Sequence, residues 1–151
     1  MVCTFFGHRE CYGLEASVLQ REIEKLILAG ADTFYVGHQG HFDSMVFSCL
    51  KSLGELYPHI SYAVVLAYLP LQSNANDPYR ECSIYPAGVE IGPPRFAIER
   101  RNVWMIEQAD LCLCYLTHKW GGAYRFVEKA RKKGVTVIDL GSSENRKKEK
   151  K

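Results

Sequence analysis

Residues 109–140 read ADLCLCYLTHKWGGAYRFVEKARKKGVTVIDL, and this stretch decides the fold class. Its first apolar run, residues 109–116, predicts a buried strand. Two glycines at 121–122 begin a segment with helical periodicity, which Gly134 ends. Residues 135–140 then predict a second strand. A strand, a helix and a strand in this order indicate two parallel strands joined by a right-handed crossover.

The same alternation extends toward the N-terminus. It predicts strands over 2–6, 33–36 and 61–69, and helices over 14–28, 40–56 and 96–108. The chain is therefore expected to be of the α/β class, with a mainly parallel five-stranded sheet covered by helices on both faces. Ligands bind such sheets at the carboxyl ends of the strands, near a switch in strand order. The loops that reach this edge are residues 7–13, 37–43, 70–95 and 117–122.

Length and composition bound the organisation of the chain. Its 151 residues, 47% of them hydrophobic and 24% charged, suit one globular domain, which we place at residues 1–141. Residues 70–95 hold five of the six prolines and predict a lid-like irregular loop. Residues 142–151 are expected to form a disordered basic tail, which is either a solvated end or a contact to nucleic acid or a protein partner. Because this tail carries five basic and two acidic residues, the body has 14 basic against 15 acidic residues and is not expected to bind nucleic acid.

The sequence also predicts the compartment. No apolar run approaches the roughly 20 residues of a membrane span, and the N-terminus lacks the basic region and cleavage site of a signal peptide. We therefore expect a cytoplasmic protein without a membrane partner. Its six cysteines are then expected to be reduced and mostly buried. They include no C-x-x-C pair, and neither a metal nor another cofactor is predicted.

The loop after the first strand is Gly7-His8-Arg9. A glycine at a strand end lets a ligand approach the backbone, and a following helix N-terminus favours anions. Arg9 can bind a phosphate or a carboxylate through two parallel hydrogen bonds. These three residues are candidates for ligand binding. The alternative is a tight turn in which His8 and Arg9 bond to backbone carbonyls.

The loop after the second strand contains Gly37, Gly40 and Asp43. Two glycines fit a phosphate or ribose cradle, and Asp43 in the first helical turn can accept a hydrogen bond from a ribose hydroxyl. His38 and His41 lie three residues apart and invite a metal interpretation. Because no acidic or cysteine partner lies at helical spacing on their face, no metal is predicted here.

The helix after the lid-like loop is rich in charge. Arg95, Glu99 and Asn102 share one of its faces, whereas Arg101 points elsewhere. Arg101 and Asn102 are candidates for ligand binding, because the helix follows the loop directly. The alternative is a solvated face with ion pairs.

The last helix begins at a glycine pair. Gly121 and Gly122 expose free N–H groups at the positive end of the helix dipole, which suits a phosphate. Glu128, nearly two turns into this helix, can reach a ribose or face solvent. The motif is neither a Walker loop nor a dinucleotide fingerprint, so these classes are not supported. The alternative is a simple helical start.

These loops, in this order and spacing, resemble the SLOG superfamily, and specifically its small bacterial YpsA-like branch. The matching stretches are CTFFGHR at 3–9, FYVGHQGHFD at 34–43, PPRFAIERRNVWMIEQAD at 93–110 and GGAYRFVEKARKKG at 121–134. The resemblance covers nearly the whole chain except the basic tail. It implies a Rossmann-like three-layer fold and a nucleotide-type ligand, such as an ADP-ribose or NAD-related molecule.

The superfamily also includes the Lonely Guy phosphoribohydrolases, which cleave a base from a nucleoside monophosphate. Arg101 matches their active-site arginine, and the glycines at 121–122 and Glu128 match their Gly-Gly pair and glutamate. Trp120 stands where their motif has proline, and residues 124–125 are Tyr-Arg where it has Gly-Thr. The resemblance thus covers only part of that phosphate cradle.

Three functions follow as expectations. The leading one is binding of a nucleotide or a nucleotide-derived ligand, with a sensing or regulatory role. The first alternative is an N-glycoside hydrolase, in which Arg101 orients the 5′-phosphate and Glu128 stabilises an oxocarbenium-like centre or activates water. The second alternative is a partner-binding module with a vestigial pocket.

Aromatic residues near the loops add two further expectations. Tyr79, Tyr85 or Trp120 can stack on a base. The helix that carries Trp104 and Met105 is expected to expose apolar surface, which would suit the interface of a homodimer.

Overall fold

The computed structural model describes residues 1–8, 11, 13–68 and 82–141. Within these ranges, six strands alternate with four helices. The strands are β1 (Val2–Gly7), β2 (Thr33–Val36), β3 (Ser61–Val65), β4 (Ser83–Ile84), β5 (Leu111–Tyr115) and β6 (Thr136–Asp139). The helices are α1 (Ala16–Leu28), α2 (His41–Leu56), α3 (Ala97–Gln108) and α4 (Gly122–Lys133), and a 3₁₀ turn at Pro94–Phe96 precedes α3.

The described strands all run parallel in one sheet of order β4-β3-β2-β1-β5-β6. The chain extends the sheet from β1 outward to β4, and then returns to the other side of β1 for β5 and β6. The strand order therefore switches between β1 and β5, where the loops after these two strands diverge. This topology confirms the predicted α/β class with a Rossmann-like arrangement of three layers.

Within the described residues the sheet has six strands, and the prediction of five is wrong by one. The additional strand, β4, lies in the segment predicted as a lid-like loop and pairs with the end of β3. Two residues in a proline-rich segment show no alternation from which a strand could be predicted. Of this segment, residues 82–95 contain β4 and part of the 3₁₀ turn, whereas residues 70–81 lie outside the described residues. The predicted tail, residues 142–151, also lies outside them.

Side chains of β1 alternate between the two faces of the sheet and divide the core. Cys3 and Phe5 pack with α1 and α2, and the Phe5 ring stacks on Phe34 with centroids 6.2 Å apart. Phe6 packs with α3 and α4 and stacks on Phe126 at 5.9 Å. Helices therefore cover both faces, as a parallel sheet with apolar residues on both sides requires.

The helices begin and end close to the predicted positions. In α1, Leu19, Ile23 and Ile27 recur every four residues and are all buried against the sheet. Gly134 follows α4 with φ 93°, in the left-handed conformation that glycine adopts most easily. This confirms the predicted helix end.

The cysteines are free thiols, and five of the six are buried. This confirms the expectation drawn from the sequence. Burial raises the pKa of the Cys3 thiol to about 12 and that of Cys49 to about 11, so both remain protonated at neutral pH. Among the helices in the described ranges, none combines the length and the apolar character needed to cross a bilayer.

Candidate functional site

A cavity of about 560 Å³ opens at the carboxyl ends of β1 and β2, beside the first turns of α2 and α4. One side of α3 and the 3₁₀ turn before it form another wall of the cavity. The lining residues are Phe5, Phe6, Gly7, His8, Gly37, Gln39, Asp43, Arg95, Phe96, Ile98, Glu99, Arg101, Asn102, Met105, Gly122, Ala123, Arg125 and Phe126. The cavity therefore lies at the edge where parallel sheets bind their ligands, close to the switch between β1 and β5.

The cavity wall brings together seven of the residues that the sequence predicts for ligand binding. These seven are Gly7, His8, Gly37, Asp43, Arg101, Asn102 and Gly122. They come from both strand ends and from three helices, so chain segments far apart in sequence meet at one place. Their role in binding stays a prediction, but their proximity is a property of the fold.

The other predicted residues are placed differently. Gly40 and Gly121 are the N-cap residues of α2 and α4, with φ of 99° and 93°, and neither lines the cavity. Glu128 lies on α4 outside the cavity wall, and its carboxylate pairs with Arg131. Arg9 lies outside the described residues. The placement of Glu128 therefore gives the predicted catalytic role no support.

Gly37 is the point at which Arg101 and Asp43 approach each other. It is buried just after β2, and a Cβ atom there would lie 2.9 Å from Arg101 Nη1 and 3.0 Å from Asp43 Oδ2. A side chain at this position would have to displace one of the two charged groups. The glycine thus allows both groups to lie against the backbone at the end of β2.

Arg101 is almost completely buried, with an exposed fraction of 2%. Its Nη1 donates to the Val65 carbonyl at 3.0 Å, and its Nε donates to Asn102 Oδ1 at 2.7 Å. Burial lowers the pKa of the guanidinium while the nearby Asp43 raises it, and an arginine remains charged at neutral pH. The two bonds orient the guanidinium and use two of its five N–H donors.

Asp43 is held from the other side of the junction. Its Oδ2 accepts a hydrogen bond from the Gln39 N–H at 2.9 Å. Burial raises the pKa of the Asp43 carboxyl to about 6, although the Gln39 N–H and the positive charge of Arg101 act in the opposite direction. At neutral pH the group is therefore ionised and is a strong hydrogen-bond acceptor.

Two arginines bring further positive charge to the cavity. The Arg95 guanidinium lies 4.9 Å from the Phe96 ring centroid, and that of Arg125 lies 5.5 Å from the Phe126 ring. Both side chains are exposed, and within the described part of the chain neither forms an ion pair. Together with the N-termini of α2 and α4, they make this end of the molecule attractive to anions.

Some lining residues agree with the sequence analysis and others were missed by it. Arg95, Glu99 and Asn102, predicted to share one face, all line the cavity, whereas the prediction that Arg101 points elsewhere is wrong, because Arg101 lines the cavity too. Gln39 and Arg125 were not among the predicted site residues. Gln39 stands between two glycines and Arg125 follows the glycine pair at a helix start, so their positions at the sheet edge were the available signal.

Three stacked rings lie at the switch between β1 and β5. The His8 and His118 centroids are 3.7 Å apart, and the His118 and Trp120 centroids are 3.8 Å apart. His118 Nδ1 lies 2.9 Å from the Trp120 carbonyl oxygen. His8 Nε2 is buried and has no hydrogen-bond partner among the described residues. Burial lowers the pKa of His8 and the adjacent His118 lowers it further, so the His8 ring is neutral at pH 7.

Arg100 holds the segment before α3 against that helix. Its Nε donates to the Val89 carbonyl at 2.7 Å and its Nη1 donates to the Pro93 carbonyl at 3.0 Å. The Tyr68 hydroxyl donates to the carbonyl of the residue after Pro93, also at 3.0 Å. Because Arg95 follows directly and lines the cavity, these bonds position one of its cationic residues.

The prediction that α3 exposes apolar surface is wrong for Met105, which is only 1% exposed. Trp104 packs on Tyr35, with centroids 5.1 Å apart. A homodimer stays a prediction.

Within residues 1–8, 11, 13–68 and 82–141, no group of three or more His, Cys, Asp or Glu side chains is placed to hold a metal ion.

Comparison with known proteins adds no assignment to this geometry. No protein-family model matches the chain, and a search of curated proteins finds no match either.

Proposed function

We propose that the protein binds a nucleotide or a nucleotide-derived ligand, of the ADP-ribose or NAD-related kind, in the cavity at the carboxyl ends of β1 and β2. The observation that carries this proposal is the junction at Gly37, where the buried Arg101 and the half-buried Asp43 both lie against the backbone in the cavity wall. A fixed guanidinium supplies directed donors for a phosphate, and an ionised carboxylate accepts hydrogen bonds from ribose hydroxyls. One ligand that carries both groups would satisfy the two side chains.

The charge at the cavity supports the same ligand class. Arg95 and Arg125 add positive charge, and Gly122 exposes the N-terminus of α4 in open space, where a Cβ would meet nothing within 4 Å. Backbone N–H groups at such a helix end bind phosphates. The resemblance to the small bacterial YpsA-like branch of the SLOG superfamily points to the same kind of ligand, in a cytoplasmic protein with a sensing or regulatory role.

The hydrolase alternative receives less support. It assigns the transition-state chemistry to Glu128, whose carboxylate pairs with Arg131 and lies outside the cavity wall. Glu99 also lines the cavity, but it forms an ion pair with Lys129 at 3.5 Å. We therefore favour binding without turnover.

Isothermal titration calorimetry with ADP-ribose, NAD and AMP tests the proposal. We expect at least one of them to bind the purified monodisperse protein. Arg95→Ala and Arg125→Ala should each weaken binding at least tenfold, because one charge-assisted hydrogen bond contributes roughly 1.5–3 kcal/mol. Arg21→Ala is the matched control, since Arg21 is exposed on α1 outside the cavity.

Two results would contradict the proposal. One is the absence of binding heat for every ligand, and the other is an equal loss of affinity in the Arg21 control. Chromatography of the same mixtures for free base tests the hydrolase alternative directly. Release of base that Glu128→Gln abolishes would favour turnover over binding alone.

A further inference from the structure

We propose that the exposed face of Trp120 is the platform on which the base of a nucleoside diphosphate sugar stacks, while the sugar at the other end of that ligand occupies the cavity. This inference rests on the proposed function. It adds the position of the base.

Trp120 combines high exposure with a fixed orientation. Its side chain is 70% exposed, yet one face of the indole lies against His118 at 3.8 Å with an interplanar angle of 19°. The opposite face is therefore open to solvent. A large aromatic ring that is already held in place loses little freedom when a planar ligand stacks on it, and every base offers a flat face for such a contact.

The loop that carries these rings is anchored to the sheet. Asp139 Oδ1, at the end of β6, accepts hydrogen bonds from the Leu116 N–H at 3.2 Å and from the Gly141 N–H at 2.8 Å. Leu116 is the residue directly after β5. The start of the loop is therefore fixed beside β6. From this loop, the stack of Trp120 and His118 extends across the switch point to His8, which follows β1.

His8 connects the stack to the cavity. It lines the cavity wall, and its ring is the inner member of the stack. Its Nε2 is buried and has no hydrogen-bond partner among the described residues. A ligand that extends from the cavity toward Trp120 would pass the His8 ring.

The distance between the two contacts is within the reach of this ligand class. Two ring spacings, of 3.7 and 3.8 Å, separate His8 at the cavity from Trp120 at the surface. A ligand with its base at one end, a sugar at the other and a pyrophosphate between them reaches both. Gly122, two residues after Trp120, places the N-terminus of α4 beside the cavity where the pyrophosphate would lie.

Binding of ADP-ribose and of ribose 5-phosphate to Trp120→Leu and Trp120→Phe tests the platform. Leucine keeps an apolar side chain but removes the ring, whereas phenylalanine keeps a ring. We expect Trp120→Leu to weaken ADP-ribose at least tenfold, which corresponds to about 1.4 kcal/mol, and Trp120→Phe to weaken it less than about threefold. Ribose 5-phosphate has no base, so its affinity should not change in either variant.

Fluorescence provides a second readout. The chain has two tryptophans, so the Trp104→Phe variant leaves Trp120 as the reporter. ADP-ribose should quench its emission, and ribose 5-phosphate should not. Trp104→Phe is also the matched control for affinity, because Trp104 packs on Tyr35 and does not belong to the stack.

The outcomes separate the two proposals. If Trp120→Leu binds ADP-ribose like the wild type while Arg95→Ala and Arg125→Ala bind it more weakly, the platform is wrong and the proposed function stands. If Trp120→Leu loses both ligands equally, Trp120 acts through the fold and the platform is again wrong. If the wild type binds neither ADP-ribose nor ribose 5-phosphate, the platform is wrong; the proposed function fails with it only when NAD and AMP do not bind either.

Discussion

Asp43 couples the stability of this protein to pH, and Asp43→Asn isolates that coupling. Burial raises the pKa of its carboxyl to about 6, against an ordinary value of 3.8. Between these pH values the folded protein keeps a proton that the unfolded chain has lost. The free energy of unfolding therefore falls as the pH rises through this window. The stabilising contribution of the protonated carboxyl is complete below about pH 4 and is lost above about pH 6.

The magnitude follows from the two pKa values. Each tenfold difference in the dissociation constant of the proton corresponds to about 1.4 kcal/mol, so the full effect is about 3 kcal/mol. Asparagine cannot ionise, but its amide oxygen can still accept the Gln39 N–H that Asp43 accepts at 2.9 Å. We expect Asp43→Asn to be more stable than the wild type by up to about 3 kcal/mol at pH 7.5, and equally stable near pH 4.

Urea unfolding followed by circular dichroism at pH 4, 5, 6 and 7.5 measures this difference. Glu107→Gln is the control, because it neutralises an exposed carboxylate on α3 and should show no comparable trend. A difference that does not change with pH would refute the reasoning. A less stable Asp43→Asn at pH 7.5 would also refute it. In that case the attraction between the Asp43 carboxylate and Arg101 would stabilise the fold by more than burial of the carboxylate destabilises it. If Asp43 accepts ribose hydroxyls as proposed, the variant should also bind ADP-ribose more weakly, as expected when a binding site is maintained at a cost in stability.

Three further perturbations address the packing, the stack and the segment before α3. Gly37→Ala should destabilise the fold by about 1–3 kcal/mol in urea unfolding, because its Cβ would lie 2.9 Å from Arg101 Nη1. The control Gly122→Ala places a Cβ where nothing lies within 4 Å and should be as stable as the wild type. Equal stabilities for the two variants would contradict the packing argument. The fold lowers the pKa of His8, so its protonation favours unfolding and the wild type should lose thermal stability below about pH 6.5. His8→Phe should abolish this loss. An unchanged dependence of thermal stability on acid pH would contradict the assignment to His8. Arg100→Ala removes two hydrogen bonds to the segment before α3 and should speed limited proteolysis within residues 86–94. The free energy of global unfolding should change little. An unchanged rate of cleavage would show that other contacts hold the segment.

Much of the fold could be predicted because its elements are strongly periodic. The strand at 33–36 and the helix end at Gly134 lie where the sequence predicts them. The strand predicted over 61–69 ends at Val65, because apolar character alone does not show where pairing stops. Strand β4 could not be predicted, since it depends on pairing with β3 and not on any pattern of its own.

The location of the site was more predictable than its interactions. A parallel sheet collects the residues after its strands at one edge, so Gly37 and Asp43 could be expected near other loop residues. The bond from Arg101 to the Val65 carbonyl joins positions 36 residues apart and leaves no trace in local sequence. Glu128 was expected at the site from its position in the last helix and from the resemblance, but it forms an ion pair with Arg131 three residues further along the same helix. The stacking of His8 on His118 likewise depends on two loops that only the tertiary fold brings together.

The central claim is that a nucleotide-derived ligand occupies the cavity, and chemical-shift mapping tests it most directly. ADP-ribose is titrated into ¹⁵N-labelled protein, and the amide shifts are followed residue by residue. We predict the largest shifts at Gly37, Gln39 and Gly122, which line the cavity, and no significant shift at Leu28, which lies at the end of α1. Shifts that cluster away from these cavity amides, or no shifts at millimolar ADP-ribose, would contradict the claim.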